Sequence, residues 1–567
     1  MLRRGVDSAR RIAGGRRGRD HSGALPVPGG PIGRVVPDRP SASDVPHAPG
    51  AGAPPPKCQP VAELTDRPFP PGDYPLVVVG SGPGALQLAY SLDRLGVAHA
   101  VLSADPSPGG MFRRWPFFQR LLSWTKPYAP TEPGSRTYER YDWNSLLADE
   151  PENRALQPTL MDGSSYFPAR AEMEANLAAF AKRTGIAVRY DCRWESTRLE
   201  EDGQGRRFVL TTSDGEFRAP VVVFAVGAAQ PWSPGTSGMP LAYHYAETRS
   251  AETYADRRIF LIGKQVSAFE LATGLLPWAR QIVLASPSPA QLSVVTKSLV
   301  GVRARYVQPY EDHVLGGGVS ILDASIEDIA RSGDALVVRT RRSDNGVALE
   351  IETDEVIAAT GFVAPLLDLP DLGVTTFGHS KLPTQTAFWE STAVPGIYFA
   401  GTITQASAGL KKHGVPANSG AVHGHRYNGR VLARHLASTR FGVELPRPRV
   451  APDELFAFVV DELVHGPEIW HQRAYLARVV SLSPEEGLRD EGIVPLTTFL
   501  DAGGGDALAV TIEADGTGAI YPVIYLRVAG QTSEHALTPS PVLDFASPED
   551  RAQLADILGS FGVRTPA

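Results

Sequence analysis

The sequence predicts an α/β fold built around two strand–turn–helix units of the Rossmann-like type, with a small α+β extension at its C-terminal end. Three observations carry this: an all-apolar run meets a glycine turn at residues 80–85, a second such run meets a weaker turn at 263–268, and about 180 residues separate the two. Strands buried on both faces of a parallel sheet read as continuous apolar runs, not as alternation.

The first unit begins at residues 76–79 (LVVV) and runs into Gly80, Ser81, Gly82, Pro83, Gly84 and Ala85. Leu86, Leu88, Ala89 and Leu92 then recur at helical spacing. Gly80 permits the tight turn, and Gly82 removes a side chain so that backbone N–H groups can approach a pyrophosphate. Ala85 lets helix and strand pack closely, and the helix N-terminus supplies the positive end of its dipole. Gly80, Gly82, Gly84 and Ala85 are therefore expected to hold a dinucleotide. The next strand, residues 98–103, ends where an acidic residue would hold the adenosine ribose. Ser103 stands there with Asp105 two residues on, and either supplies that contact. Gly109 and Gly110 follow, where a chain can pass under such a pyrophosphate. The aromatic-rich stretch 111–128, with Met111, Trp115, Trp124 and Tyr128, is either a wall beside the flavin ring or core between domains.

The second unit starts at Arg258 with the apolar run 259–262 (IFLI), followed by Gly263, Lys264, Gln265, Val266, Ser267 and Ala268 and a helix containing Leu271, Leu275 and Leu276. Gln265 replaces the second glycine, so the backbone approach must differ here. The next strand, 281–285, ends at Ser286 without a carboxylate. An acidic residue there would repel a 2′-phosphate, so its absence favours NADPH over NADH. Gly263, Gln265, Ser267 and Ser286 are the expected nucleotide contacts.

Composition sets limits. The 567 residues are 43% hydrophobic and 21% charged, enough for several cores. A net charge of −7 disfavours nucleic-acid binding, which needs a concentrated basic surface. No apolar run reaches the ~20 residues needed to cross a bilayer, so a cytoplasmic protein without membrane contact is expected. Cys58 and Cys192 are the only cysteines and form no CxxC pattern, which argues against a redox dithiol. No metal site is expected. Residues 1–72 carry arginines without a following apolar stretch and are then rich in Pro, Gly and Ala; a disordered tail is expected.

Taken in order, the motifs resemble those of the class B flavin-dependent monooxygenases, which include flavin-containing monooxygenases and N-hydroxylases of amines, over residues 75–436. Residues 166–173 (YFPARAEM) resemble the family's PSR-E approach to a helix, and 221–227 (VVVFAVG) the strand closing the first FAD segment. Residues 357–362 (IAATGF), with Thr360 and Gly361, are similar to the ATG linker between nucleotide domains. Residues 396–401 (GIYFAG), ending at Gly401, resemble the last FAD strand. The FxGxxxH fingerprint is only partly present: His244 is in place, but Pro240 stands where its glycine would be.

The resemblance implies an FAD domain in two segments, 73–235 and 355–445, an NADPH domain at 236–354 between them, and an extension at 446–567. It also implies that NADPH reduces the flavin, that dioxygen adds to give a C4a-hydroperoxyflavin, and that a nucleophilic amine attacks its distal oxygen. Cofactors carry this chemistry, so no side chain is singled out as catalytic. Arg303 and Arg305, spaced by two, point to one side if extended and suit a substrate with carboxylates; surface arginines or a hold on the NADPH 2′-phosphate are the alternatives. Lys411, Lys412 and His413, with Lys297, add cationic character. A small anionic amino acid and O2 are the expected partners. The chain is thus similar to the bacterial aspartate N-monooxygenases that convert L-aspartate to nitrosuccinate in antibiotic biosynthesis. An NADPH oxidase or reductase without organic oxygenation, and a non-catalytic flavin-binding sensor, are the rival readings. The extension, with a helix at 455–463, a hairpin around 514–518 and a last helix at 548–558, either covers the active site or builds a homo-oligomer contact.

Overall fold

The computed structural model describes residues 67–114, 120–203, 205–293, 301–307, 318–407, 414–540, 544 and 547–561. The expected tail lies outside these residues up to position 66. Its expected boundary at 72 is too late: Gly72–Asp73 is already a strand, paired in parallel with Phe217 and Arg218.

The first parallel sheet has Leu76–Val79 inside it, with Ala100–Leu102 on one side and Val221–Phe224 on the other. Ile397–Phe399 completes it beyond Val221–Phe224, also in parallel. These strands are almost wholly buried, which is why they are all-apolar. Residues more than 170 positions apart thus share one sheet, and the chain between them is an insertion. It leaves and returns side by side: Gln230–Pro231 pairs antiparallel with Phe362–Val363.

The inserted part carries a seven-stranded mixed sheet. Arg258–Ile262 lies between Gln281–Ser286 and Glu355–Ala358, all parallel, with Tyr243–His244 at one edge. The 14-residue strand Val319–Ser332 begins parallel to Gln281–Ser286 and then bends through a bulge between Ile326 and Asp328. It continues into an antiparallel meander with Ala335–Arg342 and Ala348–Thr353. A second meander, Trp194–Asp202, Gly205–Thr212 and Gly215–Ala219, precedes Val221–Phe224. Neither meander was read from the sequence.

Helix Pro83–Arg94 packs along the 20-residue helix Val422–Phe441. The helices meet at Gly429, where a Cβ would sit 3.2 Å from the Gln87 side chain. The extension is a five-stranded antiparallel sheet with helices Leu455–His465 and Pro548–Ser560 closing one face. Its expected hairpin is the antiparallel pair Ala507–Ala514 and Ile520–Val528. The extension is pinned to the body by Arg136, whose Nη2 lies 2.7 Å from Glu462 and 2.6 Å from Glu468. Among the described residues no helix is long and apolar enough to cross a membrane.

Candidate active site

The first turn has the geometry a diphosphate needs. Gly80 takes φ +129°, and a Cβ there would sit 2.6 Å from the Ala225 carbonyl oxygen, so only glycine fits. Gly82 caps helix Pro83–Arg94 in an extended conformation, and nothing lies within 4 Å of where its Cβ would be. The open space thus faces the positive end of the helix. Gly110 closes the turn from the other side, its Cβ position 3.1 Å from Gly82 Cα. Gly84 packs closest of all, its Cβ position 2.3 Å from Gly401 Cα, and Ala85 is fully buried in one core cluster with Leu76 and Val78. These residues fit the diphosphate of FAD and would hold it. Ser103 is buried, sharing a 2.7 Å hydrogen bond with Ser81 and accepting from the Asp105 N–H. The Asp105 carboxylate is held by Arg114 at 2.7 Å. Met111 lies in the short helix Gly110–Arg113, and Trp115 is outside the described residues.

The second turn repeats the first. Gly263 has φ +129°, and its Cβ would sit 2.5 Å from the Ala359 carbonyl oxygen. Gln265 caps helix Val266–Leu275, as Gly82 caps its own, with φ −113° and an exposed side chain. The extended backbone there accepts any residue, which explains why the glycine is dispensable. Ser267 lies in the first turn of that helix, and Leu276 only caps its end. Ser286 ends its strand as expected. A carboxylate is nonetheless beside it, because Asp323 pairs with Ser286 across the sheet and is held by the buried Lys264. Thr360 Oγ1 donates to the Trp232 carbonyl and Gly361 takes φ +90°, so the two crossings are tied together. His244 joins this linker: its Nε2 is 3.0 Å from the Gly361 carbonyl and its Nδ1 accepts from the Ala246 N–H.

A cavity of about 390 Å³ is lined by residues from both segments of the first domain, the insertion and the C-terminal extension. Leu122, Trp124, Trp143, Tyr166 and Phe167 line it from the first segment, Ser293, Arg303 and Arg305 from the insertion, and Asn418 from the second segment. Trp470, His471 and Arg473 come from the C-terminal extension. The sequence left open whether the extension covers the site; these three residues line the cavity.

Arg303 and Arg305 reach the same cavity, but not by the expected route. Residues 304–307 are helical, because Gly301 packs directly on the Leu292–Ser293 backbone and turns the chain. Arg305 lies 3.9 Å over Phe167 and 4.5 Å over Tyr306, and its Nη2 reaches the Leu121 carbonyl and the Tyr306 hydroxyl. The Tyr306 hydroxyl donates to Glu270 at 2.7 Å. Arg303 has a buried Nε without a hydrogen-bond partner. The aromatic stretch divides: Phe112 is core, Trp124 lines the cavity, and Tyr128 is 91% exposed because it projects from the surface. Lys297, Lys411, Lys412 and His413 lie outside the described residues.

Burial governs the electrostatics. It holds His423 and His471 well below the usual imidazole range, so both are neutral. They form a ring cluster with Trp143, at 4.2 Å from His423 and 5.8 Å from His471. Glu270 is pushed up to about 7 by burial, against the opposing pull of Tyr306 and Arg305. A folded-state value above the unfolded one means that this group's stability contribution is full below the unfolded pKa near 4.5. It is lost as pH rises through about 7. Glu270→Gln should therefore raise the melting temperature relative to wild type increasingly from pH 5 to 8. A constant difference across that range would refute the assignment.

The sequence reading missed Glu270, Trp143 and the 470–473 turn. Only the density of aromatic and basic residues in 470–473 (WHQR) offered a signal, and nothing local ties that turn to residue 303.

Two glycine turns of matched geometry, one opening a sheet split by the other's domain, define a fold with two dinucleotide-binding units. The model of the pyridine nucleotide-disulphide oxidoreductase family matches residues 77–401, and the chain belongs to that family. Its members use FAD and NAD(P)H. The FAD-dependent oxidoreductase domain-containing protein 2 of Mus musculus is 25% identical over 435 residues, 71% of this chain; the chain spans 64% of that relative's length. Among solved structures, the bacillithiol disulfide reductase of Staphylococcus aureus superposes with a TM-score of 0.50 at 15% identity, over 65% of this chain and 99% of the other. The ornithine N-hydroxylase of Kutzneria sp. 744 gives a TM-score of 0.49 at 15% identity, over 64% and 99%. At such identities the likeness concerns the fold, and the reaction has to be argued from the site.

Proposed function

We propose that the protein is an FAD- and NADPH-dependent monooxygenase that N-oxygenates a small anionic amino acid, with L-aspartate, converted onward to nitrosuccinate, as the first candidate. The first round would consume an amine RNH2, O2, NADPH and H⁺ and yield RNHOH, water and NADP⁺, and further oxygenations of the same nitrogen would follow from RNHOH. The observation that supports this reading is the cavity's pairing of aromatic walls with Arg303, Arg305 and Arg473. Cations withdrawn from water are costly unless an anion joins them. Among the described residues neither Arg303 nor Arg473 has an ion-pair partner. A substrate carboxylate would supply it.

The same arginines favour the reactive form of the amine, because a cationic surrounding lowers the pKa of an incoming ammonium. Neutral His471 adds no further charge. Trp124, Trp143 and Trp470 would exclude water from the reacting nitrogen. FAD supplies the redox chemistry when bound, and Gly80, Gly82, Gly84, Gly110 and Gly401 would hold it. The reductase of disulfides suggested by the family's name finds no dithiol here, since the only cysteines are Cys58 and Cys192. Cys192 is buried, and burial pushes its thiol up.

The test is a stoichiometry. Holoenzyme with NADPH should consume more O2 and release less peroxide when L-aspartate is added. Arg303→Gln should raise the amino-acid KM at least tenfold and the NADPH KM less than twofold. Peroxide equal to NADPH with every amino acid would favour an oxidase, and equal KM effects would move Arg303 to the nucleotide.

A further inference from the structure

We propose that Arg473, contributed by the C-terminal extension, is a specificity-determining residue that binds a second acid group on the substrate. This rests on the reading above, and adds which residue counts the substrate's charges and where in the chain it resides.

Arg473 stands on a prepared mount. Its guanidinium lies 4.5 Å from the Trp470 ring centroid, and Arg140 lies 4.0 Å from the same centroid. The neighbouring residues are fixed to the body of the molecule. Gln472 donates to Ser419 at 2.8 Å and to Asn428 at 2.6 Å. Asn418 donates to the His471 carbonyl at 2.8 Å, and His471 Nε2 lies 3.1 Å from the Glu139 carbonyl. The backbone on the N-terminal side of Arg473 therefore has little freedom, and its side chain lines the cavity.

A buried Nε without a counter-charge singles it out. In the extension Arg478 holds Asp490 and Arg447 holds Glu486 and Glu491, while Arg489 and Arg527 donate to backbone carbonyls. Arg305 is joined through Tyr306 to Glu270. Arg473 has a buried Nε without a hydrogen-bond partner and no ion pair among the described residues; Arg303 is in the same position. Two uncompensated guanidinium groups, delivered by separate parts of the chain, suit two negative charges on one ligand.

The test uses holoenzyme and ligands that lack the reacting amine, followed by the fluorescence of the cavity tryptophans. Succinate carries two carboxylates and propionate one. Arg473→Gln should weaken succinate at least thirtyfold while changing propionate and NADP⁺ less than threefold, and Arg473→Lys should recover part of the loss. Equal weakening of succinate and propionate, or weakening of NADP⁺ as great as that of succinate, would overturn the proposal. So would a wild-type protein that does not bind succinate. Because neither acid can be N-oxygenated, failure to form a hydroxylamine from aspartate would remove the reaction and leave this contact to stand or fall on binding.

Discussion

Gly82→Asp is expected to fold normally and to come off the column without the yellow of bound flavin. Gly82 has φ −76°, an ordinary backbone conformation, and its Cβ position meets nothing within 4 Å. It is also the N-cap of helix Pro83–Arg94, where no side chain now caps the free N–H groups. Aspartate is among the best residues for that place, so the fold should hold or gain slightly. The same carboxylate would stand where the diphosphate must approach. At ~5 Å and an effective dielectric near 20, repulsion is about 3 kcal/mol per phosphate charge, enough for a loss of FAD affinity well beyond 100-fold. Gly84→Val provides the contrast. Its Cβ would come within 2.3 Å of Gly401 Cα, so it should lower the melting temperature of the apoprotein itself. Tight FAD binding by Gly82→Asp would refute the cradle.

Arg136→Ala should be the most destabilising single change at the junction with the extension. Arg136 sits between Glu462 and Glu468, whose side chains are only 3% and 12% exposed. Without it two buried carboxylates face each other, with Arg478 3.9 Å from Glu462 as the nearest compensation. Truncating one partner of a buried pair costs about 3–5 kcal/mol; the partial exposure of Arg136 points to the lower end. The sign of the pH dependence follows. Arg136 and its hydrogen bonds hold Glu468 below its usual range, so their stabilising effect is present above the unfolded pKa and fades as pH falls through the folded one. The gap in melting temperature between wild type and Arg136→Ala should therefore hold from pH 8 to pH 5 and narrow as pH falls below the unfolded value near 4.5. Loss of the 470–473 turn should accompany it, read as greater solvent exposure of tryptophan. A gap independent of pH would mean that the two carboxylates are not what the variant exposes.

The parts of this fold visible in the sequence are those set by short-range rules. Residues 76–79 and 259–262 read as buried parallel strands because both faces of each are covered, and 221–227 was legible by family resemblance. The first turn was legible because glycine is required at Gly80 and Gly84. The second turn looked degenerate only because Gln265 occupies a position where glycine is optional. What could not be read depends on contacts between distant residues. Asp323 comes beside Ser286 through strand pairing, and Arg473 comes beside Arg303 through the docking of the extension. The spacing of Arg303 and Arg305 suggested one shared face, and the shared cavity is real although the extended backbone is not. The two long meanders escaped although Asp214–Gly215 and Asn345–Gly346 are hairpin signals, because charged residues interrupt the apolar pattern of the strands they join.

The central claim is that this cavity delivers an amino-acid nitrogen to oxygenation, and labelled dioxygen tests it most directly. Holoenzyme supplied with NADPH, L-aspartate and ¹⁸O2 should yield an aspartate-derived product carrying ¹⁸O on nitrogen, detected by mass spectrometry, with the label lost in Arg303→Gln at limiting substrate. Unlabelled aspartate recovered intact, with all the ¹⁸O in peroxide or water, would contradict the account.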